Sequence, residues 1–322
     1  MARIIPFKAL ILALISISLS GCSSGELERP YDFSSIVWES GKEEAEPDRA
    51  SAFAQDLCIV TDFSGDSDQS VTAEAAGVFS MDGSQTVYSK NVYEKLYPAS
   101  TTKIMTALIA IKYGNLSDEV TVTRDAVITE AGASLCGIHP GDKLTLEQLL
   151  YGLMLPSGND AGAAIAIHMA GSIEGFADMM NQEARALGAT GTHFTNPHGL
   201  HEEDHYTTAY DLYLIFHEAM KYSKFREITG STAYAASYQS ASGETVSTTW
   251  KGGNWFMTGE RETPEGLTVF GGKTGTTQAA GYCLVMATRD PSSEEYISVI
   301  MKAQSRPGLY DNMSNIISKI VN

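Results

Sequence analysis

The most apolar helix that the sequence predicts begins within Tyr97-Pro98-Ala99-Ser100-Thr101-Thr102-Lys103-Ile104-Met105. Proline is common in the first turn of a helix, so Pro98 indicates the approach to the helix and Ser100 lies near its start. All but one of the residues from Ile104 to Ile111 are apolar, and a helix that is apolar nearly all round is buried. We therefore expect a central helix that ends at Gly114, where glycine favours termination.

Ser100 and Lys103 have the spacing of a nucleophile and its base. Residues three apart lie on one face of a helix, so the amine is expected beside the hydroxyl. A serine hydroxyl is a weak nucleophile until a base removes its proton, and lysine can be that base only if its pKa falls. The helix dipole, burial and a second cation would each lower the pKa of Lys103. A serine N-cap followed by a solvated lysine would show the same spacing, so the pair alone is a weak signal.

The N-terminal residues have the features of an export signal. Two basic residues precede the apolar run from Ala9 to Leu19, which is shorter than a membrane span of about 20 residues and suits a signal peptide. The segment Leu19-Ser20-Gly21-Cys22 resembles the lipobox of bacterial lipoproteins, which implies cleavage before Cys22 and a diacylglycerol on its thiol. An ordinary signal peptide with an incidental cysteine is the alternative. We expect residues 1–21 to be a lipoprotein signal peptide and the mature protein to be anchored by lipid to the outer face of the cytoplasmic membrane.

Charge and cysteine content agree with an exported globular protein. Residues 23–50 contain eight acidic and three basic residues without periodicity, so residues 22–53 are predicted to be an acidic flexible tether. The formal net charge of the chain is −17, which argues against nucleic acid as a partner and against electrostatic binding to anionic lipid. Once Cys22 is lipidated the cysteine number is odd, so at least one thiol is free. The remaining cysteines, Cys58, Cys136 and Cys283, are expected to be buried as small apolar groups.

Residues 54–322 are predicted to form one mixed α/β (α+β) domain. Strands are predicted at 57–60, 76–80, 86–88, 119–123, 267–272, 282–288 and 296–301, and helices at 145–155, 161–170, 173–187, from 208 and at 309–321. The predicted N-caps are Thr145, Asp160 and Thr208. Short connections between strands indicate an antiparallel sheet. Because most helices lie between about residues 100 and 225, we expect a sheet flanked by helices with an inserted helical lobe.

Two further triplets accompany the Ser100–Lys103 pair. Ser157-Gly158-Asn159 follows a predicted helix, and Lys273-Thr274-Gly275 follows a predicted strand. With the first pair they resemble, in the same order, the signature of penicillin-binding proteins and class A β-lactamases. Glycine in the middle triplet is similar to the low-molecular-weight D-alanyl-D-alanine carboxypeptidases, the S11 peptidases. The resemblance extends over nearly all of residues 54–322, includes Phe194–Leu200, and implies a fold of the serine β-lactamase and transpeptidase type.

The resemblance implies a role for each catalytic residue. Ser100 is expected to attack the carbonyl of the penultimate D-alanine in a peptidoglycan stem pentapeptide and to form an acyl-enzyme that water then hydrolyses. Lys103 would take the serine proton, and Ser157 would relay a proton to the leaving amine. β-Lactam antibiotics are expected to acylate the same serine covalently. The resemblance implies no cofactor and no metal.

Substrate-binding residues follow from the same resemblance. Asn159 would hydrogen-bond the substrate backbone. Lys273 would keep Lys103 neutral by its charge and, with Thr274, would attract the terminal carboxylate. Gly275 would leave room for the substrate against the edge of its strand.

Two further contacts are implied less directly. The backbone N–H groups of Ser100 and Thr276 would form the oxyanion hole that stabilises the tetrahedral intermediate. Relatives often carry an arginine between the last strand and the last helix that helps to hold the substrate carboxylate. Arg306 is the candidate for this arginine, and a solvated loop arginine is the alternative.

A zinc protease is the competing enzyme class, because His201-Glu202-Glu203-Asp204-His205 fits the H-E-x-x-H motif. That motif binds zinc only on a helix, where both imidazoles share a face. Here the intervening residues are all acidic and the next helix is better placed at Thr208. We therefore expect residues 194–207 to form a loop near the active site, without zinc catalysis.

Other functions would keep the same serine chemistry. A β-lactamase is disfavoured by the Ser157-Gly158-Asn159 triplet and by the lack of an evident deacylating glutamate. A D,D-endopeptidase of peptide cross-links would retain all three triplets. We expect no C-terminal β-rich domain of the kind that often follows such carboxypeptidases, and this slightly favours the endopeptidase. A non-catalytic penicillin-binding sensor is the alternative that is not an enzyme.

Overall fold

The computed structural model describes residues 56–321. These residues belong to one compact unit, which runs from Ala52 to Asn322. The predicted signal peptide, the tether and Cys22 lie outside the described residues. No helix between residues 56 and 321 combines the length and the apolar character needed to cross a membrane.

A five-stranded antiparallel sheet joins the two ends of the described chain. In spatial order its strands are β2 (Thr86–Lys90), β1 (Ala75–Ser80), β9 (Glu295–Ala303), β8 (Gly281–Arg289) and β7 (Thr268–Thr277). The first strand, β1, pairs along its whole length with β9, the last. Strand β7, which carries the Lys273-Thr274-Gly275 triplet, lies at one edge of the sheet. One side of this strand is therefore free of a strand partner.

A second sheet of four strands was predicted only in part. Its order is β3 (Glu119–Thr121), β4 (Lys143–Thr145), β5 (Ala233–Gln239) and β6 (Thr245–Lys251). Only β3 was expected from the sequence. The other strands were missed because β4 has three residues, while β5 and β6 are rich in serine, threonine and alanine and leave most of their side chains exposed. Each of these two strands has only two large apolar or aromatic side chains, so the hydrophobic pattern on which strand prediction depends is weak.

Eight α-helices lie in the described residues, most of them between the strands of the two sheets. They are α1 (Lys103–Tyr113), α2 (Leu146–Met154), α3 (Asn159–Ala170), α4 (Ile173–Ala186), α5 (Ala209–Met220), α6 (Ser223–Gly230), α7 (Trp255–Thr258) and α8 (Arg306–Ile317). Every residue of α1 from Lys103 to Ala110 is buried. The prediction of a central apolar helix is confirmed, and with it the expected antiparallel sheet flanked by helices.

Two of the three predicted N-caps are present. Thr145 and Gln148 form the reciprocal capping box at the start of α2, and Thr208 accepts the N–H of Asp211 at the start of α5. The prediction that Asp160 caps α3 is wrong, because the N-cap is Gly158. The carboxylate of Asp160 is instead bound by backbone N–H groups of a neighbouring loop.

The predicted strand at residues 57–60 is absent from the structure. The backbone around Cys58 pairs with tyrosine hydroxyls in place of a strand neighbour. Tyr213 accepts the N–H of Cys58 at 2.9 Å, and Tyr210 donates to its carbonyl at 2.7 Å. A short apolar run can therefore be buried without entering a sheet. Cys58, Cys136 and Cys283 are all free and buried, as expected.

The final helix packs on the five-stranded sheet, as predicted. It begins at Arg306 rather than at residue 309, since the Ser305 hydroxyl accepts the N–H of Gly308 as an N-cap. Its apolar face is buried in a second core together with residues of β1, β8 and β9. This earlier start places Arg306 in the first turn of α8 instead of in a loop.

Candidate active site

Ser100 lies in a short 3₁₀ turn, Ala99–Thr102, directly before α1. The turn is closed by Thr101, whose N–H and hydroxyl both donate to the carbonyl of Pro98. Ala99 has a positive φ of 48°, an uncommon conformation for a residue with a side chain. The α-helix proper therefore begins at Lys103, and the nucleophile candidate lies on a tight turn that leaves its side chain half-buried.

Lys103 is completely buried, and its amine contacts three oxygen atoms. Nζ lies 3.0 Å from Oγ of Ser100, 2.6 Å from Oδ1 of Asn159 and 2.6 Å from the carbonyl oxygen of His198. The last two atoms are acceptors only. A neutral amine has two N–H groups for these acceptors, and its lone pair then faces the serine hydroxyl. The arrangement fits an amine that accepts the Ser100 proton.

The electrostatic surroundings of Lys103 favour the neutral form. Burial lowers its pKa well below the ordinary value, and the positive charge of Lys273 lowers it further, while Asp160 acts in the opposite direction. An amine removed from water loses its hydration, which disfavours the ammonium. Lys103 can therefore be unprotonated at a pH where an exposed lysine would be charged.

The loop that contains His198 is fixed tightly against the start of α1. Thr106 donates to the carbonyl of Pro197 at 2.6 Å. Gly199 has a φ of 84°, and a Cβ at this position would lie 1.8 Å from the carbonyl oxygen of Ala99. Only glycine allows this approach, which brings the His198 carbonyl to Lys103. The sequence analysis quoted this segment but assigned it no role.

The H-E-x-x-H segment lies in this loop and not on a helix, as predicted. His205 is buried; its Nδ1 accepts the N–H of Thr195, so the proton resides on Nε2, 2.8 Å from the hydroxyl of Thr102. Burial lowers the pKa of His205 to about 3. His201 instead packs edge-on against Tyr97. In the described part of the chain, no three His, Cys, Asp or Glu side chains form a group that could hold a metal ion.

Ser157 occupies a strained position between α2 and α3. Its φ is 62°, which costs a non-glycine residue of the order of 1–3 kcal/mol and is typical of functional sites. The hydroxyl accepts a hydrogen bond from Nζ of Lys273 at 2.9 Å. Two residues later, Asn159 begins α3 and points its amide oxygen at Lys103. The middle triplet thus contacts both lysines.

Lys273 is the second buried lysine of the site. Apart from Ser157, its amine contacts the carbonyl oxygen of Thr274 at 2.8 Å. Burial lowers the pKa of Lys273 to about 7. Because it has no carboxylate partner in these contacts, its charge is available to an anion that enters the site.

Gly275 packs closely against the turn that carries Ser100. A Cβ at this position would lie 2.9 Å from the carbonyl oxygen of Pro98 and from the N atoms of Ser100 and Thr101. The missing side chain therefore lets β7 pack against the 3₁₀ turn. Gly275 also lines the larger cavity at Ser100, and its expected role in leaving room for the substrate stays a prediction. The contact brings β7 and the N–H of Ser100 together, next to the exposed Thr276.

Two open cavities meet at Ser100. One has a volume of about 280 Å³ and the other of about 360 Å³. Both are lined by Ser100, Ser134 and Thr276, and the larger one also by Ser157, Thr274 and Arg306. The serine is therefore accessible from two sides, as a residue that cleaves a bond within an extended substrate must be.

The comparisons with known proteins agree with this geometry. A family model described as Peptidase_S11, D-alanyl-D-alanine carboxypeptidase, matches residues 62–305. The chain belongs to this family. A D-alanyl-D-alanine carboxypeptidase from Streptomyces sp. (strain K15) is 32% identical over 261 residues, which are 77% of this chain and 87% of that protein. The carboxypeptidase DacF from Bacillus subtilis (strain 168) is 35% identical over 222 residues, which are 67% of this chain but only 54% of DacF.

Solved structures of two related proteins share the fold. The Streptomyces K15 DD-transpeptidase superposes with a TM-score of 0.72 at 31% identity, over 77% of this chain and 97% of that one. The D-alanyl-D-alanine carboxypeptidase from Mycobacterium tuberculosis H37Rv gives a TM-score of 0.68 at 29% identity, over 77% and 90%. The predicted transpeptidase-like fold class is confirmed.

Asp160 fixes a loop beside the site, and this role was not predicted from the sequence. Asp160 is buried and accepts the backbone N–H groups of Cys136, Gly137 and Ile138. The preceding N–H, of Asn159, donates to the carbonyl of Ser134 at 2.8 Å. These bonds fix the loop that lines both cavities to the start of α3. An acidic residue after the middle triplet was visible in the sequence, but it was interpreted as a helix cap.

Proposed function

We propose that the chain is a serine-type D-alanyl-D-alanine carboxypeptidase, a hydrolase that removes the terminal D-alanine from peptidoglycan stem pentapeptides. The observation that carries the proposal is the position of the Lys103 amine, buried and 3.0 Å from the Ser100 hydroxyl. With two acceptors on its other sides, this amine can take the serine proton as the new bond forms. The family and its named carboxypeptidase members support the choice of reaction.

In the acylation step, Oγ of Ser100 bonds to the carbonyl carbon of the penultimate D-alanine and its proton passes to Lys103. The N–H groups of Ser100 and Thr276 would stabilise the negative oxygen, and one such donor is typically worth about 3–4 kcal/mol. The C–N bond then breaks. Ser157, which accepts a hydrogen bond from Lys273, would pass its hydroxyl proton to the leaving amine, and the proton that Lys103 took from Ser100 would then replace it. The terminal D-alanine leaves as a free amino acid.

In the deacylation step, a water molecule attacks the ester on Ser100. A proton of the water passes to Lys103 and from there to Oγ of Ser100 as the ester C–O bond breaks. Ser100 and Lys103 thereby return to their starting states, and the shortened peptide leaves with a new carboxyl group. A β-lactam would open on the same serine to a stable ester, and the protein is therefore proposed to bind penicillin covalently. The acidic chain and the site chemistry give no role to nucleic acid.

At the substrate-binding end, Lys273, Thr274 and Arg306 would receive the terminal carboxylate. Thr274 and Arg306 both line the larger cavity at Ser100. Lysine and arginine bind carboxylates through charge-assisted hydrogen bonds, which are stronger than neutral ones. Arg306, held as the weaker candidate in the sequence analysis, thus becomes part of the proposed carboxylate site.

We also propose that the protein is a lipoprotein. The support is the motif that ends in Cys22 after a short apolar run and the substrate, peptidoglycan, which lies outside the cytoplasmic membrane. Mass spectrometry of the N-terminal peptide from the membrane fraction should find a diacylglycerol-modified Cys22. Cys22→Ala should release the protein from the membrane fraction; retention of this variant would contradict the proposal.

The activity is tested with the protein lacking residues 1–22, with and without a chelator. Monomeric pentapeptide muropeptides and cross-linked dimers are supplied, and products are followed by mass spectrometry. Loss of one alanine from the monomer, unaffected by the chelator, is the expected result. Cleavage of the dimer alone would indicate the endopeptidase, and no product with penicillin still bound at Ser100 would indicate a sensor.

A further inference from the structure

The guanidinium of Arg306 is held by two neutral groups at one end of the larger cavity. Its Nη2 donates to the carbonyl of Gly253 at 3.0 Å, and its Cζ lies 4.7 Å from the ring centroid of Trp255. A cation over an indole face is attracted by the ring without being neutralised. These contacts fix the direction of the side chain, and no carboxylate of the described residues lies within salt-bridge distance of the guanidinium.

Trp255 is itself fixed by the helix that carries Arg306. Its ring stacks on that of Tyr310 with centroids 4.6 Å apart and an angle of 16° between the planes. The hydroxyl of Tyr310 also accepts the N–H of Trp255 at 2.9 Å. Tyr310 is fully buried, and it lies four residues after Arg306, on the same face of α8. Trp255 therefore rests on an immobile ring and reaches the arginine beside it.

We propose that Trp255 is a positioning residue for Arg306 and thereby sets the preference of the site for ligands with a free C-terminal carboxylate. The inference rests on the carboxylate role of Arg306 in the proposed function. An exposed arginine without such a support occupies many rotamers, and ordering it on binding opposes affinity. The indole keeps the guanidinium in one direction before the ligand arrives.

The test compares acylation by benzylpenicillin, which has a free carboxylate, with acylation by its methyl ester. This measurement needs no peptide turnover. If the protein does not cleave pentapeptides, the proposed hydrolase activity is contradicted, but the acylation rates can still be compared. For Trp255→Met, we expect the rate ratio of acid to ester to fall about two- to fivefold, the range for an exposed cation–π contact. Trp255→Phe keeps an aromatic face and should retain most of the ratio.

Coupling to the arginine distinguishes positioning from packing. In an Arg306→Gln background, Trp255→Met should leave the acid-to-ester ratio unchanged, because there is no guanidinium to orient. Phe256→Leu is the matched control, since Phe256 packs edge-on against Tyr310. The contacts that hold the guanidinium of Arg306 come from Gly253 and Trp255 and do not involve Phe256. This variant should lower thermal stability without changing the ratio.

Three results would overturn the inference. In the first, Trp255→Met slows acylation by the acid and by the ester equally. In the second, Trp255→Met lowers the acid-to-ester ratio as much in the Arg306→Gln background as in the wild type. In the third, Arg306→Gln itself leaves the ratio unchanged, which would also remove Arg306 from the carboxylate site. If Trp255→Met does not fold, as judged by its thermal transition, the same comparisons apply to Trp255→Leu, which also removes the aromatic face.

Discussion

The two ends of the cleft hold their cations in opposite ways. Lys103 is fully buried, and three different segments supply the oxygens around its amine. Arg306 is exposed, and its guanidinium rests on a backbone carbonyl and an aromatic ring. A buried amine without its partners has no water to replace them, whereas an exposed guanidinium stays hydrated. The account therefore predicts large effects at the Lys103 end and small ones at the Arg306 end.

Removing the base should have the largest effect. Lys103→Met is expected to slow acylation by fluorescent penicillin by about 10²–10⁴-fold, the usual contribution of a general base. Lys112→Met is a matched control on the same helix, because Lys112 forms ion pairs with Glu183 and Glu218 away from the site. Near wild-type acylation of Lys103→Met would remove the distinction between the two ends of the cleft.

The glycine that brings His198 to Lys103 should tolerate no side chain. Gly199→Ala is expected to lower the free energy of unfolding by about 3 kcal/mol, since it adds a steric clash to the strain of a positive φ. Gly188→Ala is the matched control, with a φ of 78° and no atom within 4 Å of the new Cβ. Denaturant unfolding of both variants measures the difference. Equal losses would show that the close approach to Ala99 has no energetic importance.

The pH dependence reports the two lysines with opposite signs. Lys103 must be neutral to act as base, so activity rises as pH exceeds its lowered pKa. Lys273 must be charged to attract a carboxylate, so its contribution is lost as pH rises through about 7. From about pH 6 to about pH 8.5 the protonated fraction of Lys273 falls roughly thirtyfold. The ratio of kcat/KM for a free-acid peptide to kcat/KM for its amide should therefore fall by up to that factor. In Lys273→Met this ratio should not change with pH. A ratio that also stays constant in the wild type would contradict the carboxylate role of Lys273.

The exposed end should give the smallest effect. Arg306→Gln is expected to lower kcat/KM for the free-acid peptide by about tenfold, the lower limit for a hydrogen bond to a charged group, and to affect the amide less. Steady-state kinetics on both peptides measures it. A loss as large as that of Lys103→Met would mean that Arg306 becomes desolvated and contributes to the chemistry, and would contradict the difference between the two ends of the cleft.

The side chains of the site were predictable because each triplet depends on local spacing. Ser100 and Lys103 are separated by one turn. Hydrogen bonds join Lys103 to Ser100 and to Asn159, and Lys273 to Ser157, as the residue types suggest. The apolar helix and the strands β1, β7, β8 and β9 were also predictable from local sequence, because their hydrophobic pattern is strong. The proposed roles of these residues await the experiments above.

The rest of the site depends on contacts between distant segments. The carbonyl of His198 has no sequence signature, because every residue has a carbonyl group. The reason for Gly275 became visible only once β7 lay against the 3₁₀ turn. Trp255 lies in a segment without strong periodicity, and its partner Arg306 is 51 positions away in the sequence. Such pairings follow from the tertiary fold and cannot be found from local patterns.

The most direct test of the central claim is mass spectrometry of the protein after incubation with benzylpenicillin. We expect one penicilloyl group per molecule, located by peptide mapping on the peptide that contains Ser100, and none on Ser100→Ala. A penicilloyl adduct that persists in Ser100→Ala would contradict the assignment of the nucleophile and, with it, the proposed reaction.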